Sequence, residues 1–114
     1  MIKTHIRKGD VEVDDVLRMH VESRLGFALG RFADRIGRVV VRFSHAGGER
    51  SGSPKRCQIG VALRPLRVEV EDVDQDLFAA VNHAIDRASR SVARALEREG
   101  TYVGLRPLAE PKGR

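Results

Sequence analysis

Four arginines in the last third of the sequence are spaced as a helix would place them on one side. They are Arg87, Arg90, Arg94 and Arg98 in the stretch RASRSVARALER, at intervals of three, four and four residues. At 100° per residue, these side chains fall within about 80° of arc on a helix. A guanidinium group binds phosphate through a planar fork of N–H donors. The spacing therefore predicts a helix face that binds a polyanion, and nucleic acid is the first candidate.

An ordinary solvated helix face is the alternative interpretation of these four arginines. Exposed helices often mix arginine with glutamate, but Asp86, Glu97 and Glu99 lie away from the centre of the basic stripe. Like charges four residues apart also destabilise a helix slightly. We favour the binding interpretation, because an anionic partner would relieve that repulsion.

The composition is that of one basic globular domain. The chain has 114 residues, of which 21 are Lys or Arg and 16 are Asp or Glu, with 41% hydrophobic and 32% charged residues. Arginine enrichment can also reflect a genome rich in G and C, so its position along the chain matters more than its total. No stretch resembles a signal peptide or a membrane span, and a single cysteine favours a reducing compartment. We therefore expect a cytoplasmic protein that does not contact a membrane.

The charge is also segregated along the chain. Residues 31–67 contain nine basic and two acidic residues, a difference of seven, whereas residues 69–76 contain five acidic residues and no basic one. A basic central segment beside an acidic segment favours two surfaces of opposite sign. The basic segment supports a nucleic-acid partner, and the acidic segment leaves a protein partner open.

Hydrophobic periodicity predicts four strands and two helices. Alternating apolar residues indicate strands at 2–7, 38–43, 56–63 and 66–71, and apolar residues three or four apart indicate helices from Asp14 and from residues 72–76 to about Glu99. The order β-α-β-β-β-α predicts an α+β two-layer sandwich, with a four-stranded mixed sheet and both helices on one face. A right-handed crossover makes strands 1 and 2 parallel, and short turns make the later pairs antiparallel. We expect one domain over residues 1–100 and a flexible tail over 101–114.

Residue types near the predicted helix ends support these boundaries. Asp14 is a good N-cap, Asp72, Asp74 and Asp76 are predicted to crowd the start of the second helix, and Gly100 is a good C-cap. In the first helix, Gly26 and Gly30 each cost about 1 kcal/mol relative to alanine. They predict either a close approach of another element or a loose helix end.

No cluster of residues predicts catalysis or metal binding. The four histidines lie on separate predicted elements, without the spacing of metal ligands, and they are His5, His20, His45 and His83. Cys57 shares the inward face of its strand with Ile59 and Val61, so we expect a buried, unreactive thiol. The sequence predicts a protein that is not an enzyme and that uses no cofactor, metal ion or small-molecule substrate.

Four stretches resemble the ribosome hibernation factor family, which includes hibernation-promoting factor and ribosome-associated inhibitor A and was once called the sigma-54 modulation proteins. The stretches are VEVDDVLRMHVESRL, RFADRIGRVVVRFS, KRCQIGVALRP and DLFAAVNHAIDRASRSVARAL, and the resemblance covers about residues 2–98. The last stretch is similar to the family's DxYxAID helix start, although Phe78 replaces the usual tyrosine. The β-α-β-β-β-α order inferred from periodicity is also the fold of this family.

The resemblance implies that the chain binds the small ribosomal subunit and its rRNA, in the channel for mRNA and tRNA. It would there inhibit translation or preserve idle ribosomes under stress. By position, the RNA-binding residues that the resemblance implies are Arg31, Arg35, Arg38, Arg87, Arg90, Arg94 and Arg98. Because the chain is short, the resemblance implies no second, dimerising domain, and we expect a monomer or a weak dimer.

Two other functions stay open at this point. The same fold could serve as a regulatory domain that binds another protein through the acidic segment 69–76 or through the open face of the sheet. It could also be a nonspecific nucleic-acid-binding protein. The aromatic content of only 4% argues against base stacking as the main mode of binding, so we expect a reader of RNA backbone and shape.

Overall fold

The computed structural model of the chain describes residues 2–7, 9–47 and 52–100. Its elements are β1 (Thr4–Arg7), α1 (Asp15–Leu29), a short 3-10 helix (Gly30–Phe32), β2 (Arg38–His45), β3 (Lys55–Ala62), β4 (Arg67–Asp74) and α2 (Leu77–Glu99). The predicted order β-α-β-β-β-α is confirmed. The predicted tail at 101–114 and residues 48–51, between β2 and β3, lie outside the described residues.

The four strands form one mixed sheet in the order β1-β2-β3-β4. β1 runs parallel to β2, with Thr4 opposite Val39, and the pairs β2–β3 and β3–β4 are antiparallel. A parallel pair needs a crossover connection, which α1 supplies between β1 and β2. The predicted mixed sheet and its strand directions are therefore confirmed.

The core lies between the sheet and the two helices. Alternate residues of the central strands face the helices and are buried, including Val41 and Phe43 of β2 and Ile59 of β3. The helices contribute their predicted apolar faces, which are Leu17, Val21, Leu25 and Leu29 in α1 and Val81, Ala84, Ile85, Ala88, Val92, Ala95 and Leu96 in α2. Each large side chain buried in this way contributes about 1.5–3 kcal/mol. The two-layer sandwich follows from the burial of all these faces in one cluster.

Both helices begin at an aspartate. The Asp14 carboxylate accepts a hydrogen bond from the backbone N–H of Leu17 at 2.9 Å, and the Asp76 carboxylate accepts one from Phe78 at 3.0 Å. α1 tightens into the 3-10 helix after Leu29, whereas α2 ends at Gly100 in the left-handed conformation, with φ of 77°. The predicted caps at Asp14 and Gly100 are confirmed. Neither helix combines the length and apolar character that crossing a membrane would need, among the residues that the structure describes.

The predicted cluster of aspartates at the start of α2 is wrong. β4 continues to Asp74, so Asp72 and Asp74 belong to a strand and only Asp76 caps the helix. The cause is the ladder with β3, in which Asp72 lies opposite Cys57 and Asp74 lies opposite Lys55. Backbone pairing with a full-length neighbour outweighs the poor strand propensity of aspartate.

Candidate nucleic-acid interface

The arginine row, which comprises Arg87, Arg90, Arg94 and Arg98, covers the outer side of α2. All four residues are exposed, and the buried residues of α2 lie on the opposite side of the helix. The outward orientation that the spacing predicts is therefore present. The row presents four guanidinium groups along about three turns of one rigid helix.

Two arginines of the row form ion pairs. Arg90 pairs with Asp86 one turn earlier, and Arg87 Nε donates to Asp72 Oδ2 of β4 at 3.0 Å. The pairing with Asp72 depends on β4 lying beside α2, so the spacing within α2 did not predict it. Arg94 and Arg98 form no ion pair within the part of the chain described here. Exposed pairs are worth about 0–1 kcal/mol, so phosphate can replace either carboxylate at little cost.

A groove of about 440 Å³ lies between α1 and α2, beside the arginine row. Its lining residues are Arg24, Phe27, Ala28, Arg31, Asn82, Ile85, Asp86 and Ser89. Two side-chain contacts hold the helices together here: Ser89 Oγ donates to the Ala28 carbonyl at 3.4 Å, and His20 Nε2 lies 2.8 Å from Asn82 Oδ1. The groove brings Arg31 to the same outer surface as the row, although the two are far apart in the sequence.

Arg31 is held against an aromatic ring. Its guanidinium carbon lies 4.6 Å from the centroid of Phe32, whose side chain is buried in the core. A cation–π contact of this kind is worth about 0.5–1 kcal/mol at an exposed site. The contact restricts an otherwise flexible side chain, which lowers the entropy that Arg31 would lose on binding an anion.

Arg35 occupies a different environment from the other predicted arginines. Its Nη2 lies 3.0 Å from Glu99 Oε1 and 3.4 Å from each of the carbonyl oxygens of Leu63 and Arg64, and its side chain is only 22% exposed. Arg35 thereby joins the turn after α1 to the end of α2 and to the β3–β4 connection. Its RNA-binding role stays a prediction, and contact with phosphate would require Arg35 to leave Glu99.

Arg38 lies on the opposite side of the sheet from the helices. It is exposed at the start of β2, next to the buried Val39, so strand alternation places it on the uncovered face. The same alternation places Lys3, Arg7 and Arg42 on that face, and Arg7 lies directly opposite Arg42. These residues, with Arg38, form the basic sheet face. The seven predicted arginines thus lie in three places. Arg31 and the arginine row lie on the outer surface of the helices, Arg35 lies between the turn after α1 and the end of α2, and Arg38 lies on the basic sheet face.

Sequence reasoning missed Arg24 and three residues of the basic sheet face. Arg24 precedes Arg31 by seven residues, a spacing that returns to the same side of a helix and would have revealed it. Lys3, Arg7 and Arg42 occupy polar positions of predicted strands. Their proximity depends on the register of the parallel pair, in which Arg7 lies opposite Arg42, and the order of elements predicts the pairing but not this register.

The acidic segment at 69–76 does not form an unopposed acidic surface. Glu71 lies 3.7 Å from Arg56 Nε, Glu69 lies 2.7 Å from Arg67 Nη2, and Asp72 pairs with Arg87. These carboxylates are therefore largely neutralised by neighbours in space. Three of the segment's five carboxylates are thus compensated, whereas Arg94 and Arg98 of the row and Arg38 and Arg42 of the basic sheet face form no ion pair with a described residue.

Cys57 is fully buried beneath the helices, as its position among inward residues predicts. Burial, together with the negative charge of Asp72, raises the pKa of the Cys57 thiol to about 12. A neutral, enclosed thiol is a poor nucleophile. Among the described residues, no three His, Cys, Asp or Glu side chains converge as ligands for a metal ion.

The chain belongs to the family described as sigma 54 modulation protein / S30EA ribosomal protein, whose model matches residues 4–99. The match spans every element from β1 to the end of α2. The resemblance found in the sequence is therefore confirmed, and the arginine row and the groove lie within the matched region.

Two curated relatives match most of this chain. The chloroplastic ribosome-binding factor PSRP1 of Spinacia oleracea is 29% identical over 108 residues, which cover 90% of this chain and 36% of the relative. The ribosome hibernation promotion factor of Lactococcus lactis subsp. cremoris (strain MG1363) is 27% identical over 96 residues, which cover 82% of this chain and 49% of the relative. The chain therefore spans less than half the length of each of these relatives.

Solved structures share the fold. The N-terminal domain of Thermus thermophilus Protein Y is 31% identical with a TM-score of 0.68, and the match covers 83% of this chain and 99% of that domain. A ribosomal subunit interface protein from Coxiella burnetii has a TM-score of 0.71 at 14% identity, with coverage of 84% and 99%. The second likeness supports the two-layer fold alone.

Proposed function

We propose that this protein binds the small ribosomal subunit through rRNA in the mRNA and tRNA channel, and thereby inhibits translation or preserves idle ribosomes under stress. The observation that carries the proposal is the arginine row on α2, exposed and only half compensated, in a chain of the sigma 54 modulation family. The names of the relatives, a ribosome-binding factor and a hibernation promotion factor, support a ribosomal partner.

The physical basis is attraction between guanidinium groups and RNA phosphates. Arg94 and Arg98 are available without breaking an ion pair, and Arg87 and Arg90 exchange weak surface pairs for phosphate. Contacts from such a row to phosphates position the protein on a folded RNA and recognise its shape more than its sequence. Binding alone would block a channel, so the proposed role is not enzymatic and needs no cofactor.

The two alternative functions have less support. A regulatory domain that binds a protein through residues 69–76 would need an acidic surface, and Arg56, Arg67 and Arg87 neutralise most of that segment. A nonspecific nucleic-acid-binding protein would use the same arginines. The difference from the proposed function lies in selectivity for the small subunit, which can be measured directly.

Sedimentation tests whether the small ribosomal subunit is the binding partner. We expect the protein in a stationary-phase lysate to co-migrate with the small subunit or with whole ribosomes on a sucrose gradient. Migration as free protein would contradict the proposal and support the regulatory alternative. Equal distribution over DNA, tRNA and ribosomal fractions would support the nonspecific alternative.

The pair of substitutions Arg90→Gln and Arg94→Gln tests the interface. Because neutralised phosphates release counterions, binding should fall as salt rises, and the double variant should flatten the salt slope by roughly two units. The matched control is Arg56→Gln with Arg67→Gln, which removes the same charge from residues paired with Glu71 and Glu69. Unchanged affinity of the Arg90/Arg94 variant for small subunits across the titration would remove α2 from the interface.

We propose that residues 1–100 form a single domain that acts as a monomer or weak dimer in the cytoplasm. The support is the one hydrophobic cluster shared by both helices and the sheet. Light scattering at micromolar concentration should give the monomer mass. A tight dimer would contradict this part of the proposal and point to pairing through an edge strand, β1 or β4.

A further inference from the structure

The outer side of α1 carries exposed apolar residues, in contrast to the charged outer side of α2. Val16, Met19 and Phe27 are 67%, 68% and 88% exposed. Phe27 is the most exposed large hydrophobic residue of the described chain, and it alone of the three lines the groove between the helices. An exposed aromatic ring at the edge of a groove lined by cations offers a surface on which a nucleobase can stack.

The neighbours of Phe27 along α1 leave its ring uncovered. On a helix, the adjacent side chains are those three and four positions away, which here are Ser23, Arg24, Gly30 and Arg31. Two of these are small and two are cationic. A methyl group placed on Gly30 would meet nothing within 4 Å, so the space beside the ring is open.

Charged and polar groups line the groove beside this ring. Arg24 and Arg31 contribute positive charge on the α1 side, and Arg31 is already held over Phe32. Asn82 and Ser89 contribute an amide and a hydroxyl on the α2 side. Asp86, the groove's one carboxylate among the described lining residues, pairs with Arg90. The groove therefore combines an exposed aromatic ring, two cations and neutral hydrogen-bonding groups.

We propose that this groove binds a single unstacked nucleobase of RNA. The base stacks on the ring of Phe27, and the adjoining phosphates contact Arg24 and Arg31. The Nδ2 of Asn82, as a donor, and the Oγ of Ser89, as an acceptor, meet the edge of the base, because Asn82 Oδ1 contacts His20 and the Ser89 hydroxyl donates to the Ala28 carbonyl. The inference rests on the proposed function, since RNA is the partner, and it adds a contact with an unpaired base to a surface that otherwise binds backbone.

The charges around Phe27 favour a nucleotide over an apolar protein surface. A protein that covered the ring would also cover Arg24 and Arg31, and their burial without an opposite charge is costly. A nucleotide supplies a flat ring and a phosphate together. The other exposed apolar residues do not extend the site, because Met19 lies eight residues before Phe27, about 12 Å along the helix, with Ser23 between them.

Two RNA hairpins with equal numbers of nucleotides test the inference, one fully paired and one with a single bulged adenine. Fluorescence anisotropy should show that the wild-type protein binds the bulged hairpin more tightly, by roughly five- to 150-fold. Phe27→Leu keeps an apolar side chain without the ring and should abolish the preference, whereas Phe27→Tyr should retain it. Met19→Leu is the matched control at another exposed apolar position of the same helix, outside the groove, and it should behave as wild type.

A salt titration with isolated small subunits gives a second readout. Because Phe27 is uncharged, Phe27→Leu should lower the affinity without changing the salt slope, unlike the arginine variants. No bulge preference in the wild type, or an unchanged preference in Phe27→Leu, would overturn the inference. Loss of small-subunit affinity in Phe27→Leu without any bulge preference would also overturn it, because the ring would then contact a ribosomal protein.

The two proposals fail in distinguishable ways. If the wild-type protein does not bind small subunits, the proposed function fails, whatever the hairpins show. If small-subunit binding is salt-dependent and sensitive to Arg90→Gln and Arg94→Gln, but neither readout responds to Phe27→Leu, the function stands and the nucleobase site fails.

Discussion

The two helices pack on the same sheet but differ on their outer sides. Each buries an apolar face in the common core, from Leu17 to Leu29 in α1 and from Val81 to Leu96 in α2. The outer side of α2 is basic, and its apolar and polar residues are cleanly separated. The outer side of α1 carries Val16, Met19 and Phe27 among charged residues, so that largely exposed apolar side chains occur on α1 in a way that they do not on α2.

This difference distinguishes residues that stabilise the fold, on the inner faces of the helices, from residues available for binding, on the outer faces. The inner faces meet the same physical requirement, which is to fill the space above β2 and β3. The outer faces have no such requirement, and a solvated surface would be equally well served by any mixed polar sequence. A cationic row that is only half compensated on one helix and an exposed aromatic ring on the other are therefore the features that indicate a partner.

The largest effect is expected from the inner faces, where the two helices should behave alike. Leu25→Ala in α1 and Leu96→Ala in α2 each remove a fully buried side chain and should lower the free energy of unfolding by about 2–5 kcal/mol. Urea denaturation measures both. Val16→Ala, on the exposed side of α1, should change it by less than about 0.5 kcal/mol. A small cost for Leu25→Ala alone would show that α1 is weakly packed.

The pH dependence of stability tests whether Cys57 is shielded from water between the sheet and the helices. Its pKa is raised to about 12 when folded, so the unfolded chain loses this proton first as pH rises. The folded state then binds more protons, and stability should fall above about pH 9, by about 1–2 kcal/mol at pH 10. Cys57→Ala, which has no titrating thiol, should lack this component. Identical pH profiles for the two proteins would contradict a buried thiol, as would rapid thiol labelling of the native protein.

Two glycines should respond in opposite directions to alanine. Gly26 lies within α1 with open space around it, so Gly26→Ala should raise the free energy of unfolding by about 0.5–1 kcal/mol. Gly100 ends α2 at φ of 77°, so Gly100→Ala should lower it by about 1 kcal/mol. Thermal unfolding would measure both changes. Destabilisation by Gly26→Ala would instead indicate that α1 has a close neighbour at that position.

The smallest effect on stability is expected within the arginine row. Arg94→Gln should leave the free energy of unfolding within about 0.5 kcal/mol of wild type, because Arg94 is exposed and forms no described ion pair. Arg87→Gln should cost slightly more, since it loses the contact with Asp72. Denaturation curves of the two variants provide the comparison. A large loss of stability in Arg94→Gln would mean that the row serves the fold rather than a partner.

Much of the fold was predictable because it depends on local periodicity. Alternating apolar and polar residues predict β2 and β3, and apolar residues three or four apart predict both helices. Asp14 predicts the start of α1, and Gly100 predicts the end of α2. The boundary of β4 was not predictable in this way. Asp72 and Asp74 have the composition of a helix start, and only pairing with β3 keeps them in the strand.

The candidate site was predictable only in part, for a related reason. The spacing within α2 was sufficient to identify the arginine row as one exposed stripe. Arg31, Arg35 and Arg38 are neighbours in the sequence and were grouped together. The turn after α1 and the start of β2 separate them, so that Arg31 faces the groove, Arg35 meets Glu99, and Arg38 lies across the sheet. Local spacing does not predict on which face of a sheet a residue lies once a turn separates it from the preceding element.

By itself, the sequence determined the order of elements, the faces that they bury, the family and the arginine row, because these depend on residue type and short-range spacing. The tertiary structure alone decided which charges compensate each other. It placed Asp72 against Arg87, paired Glu71 with Arg56, and opened a groove beside Phe27 between two helices distant in the chain. The reason is physical: electrostatic and stacking interactions depend on distances of a few ångströms through space, and only the packing of α1, α2 and β4 sets those distances.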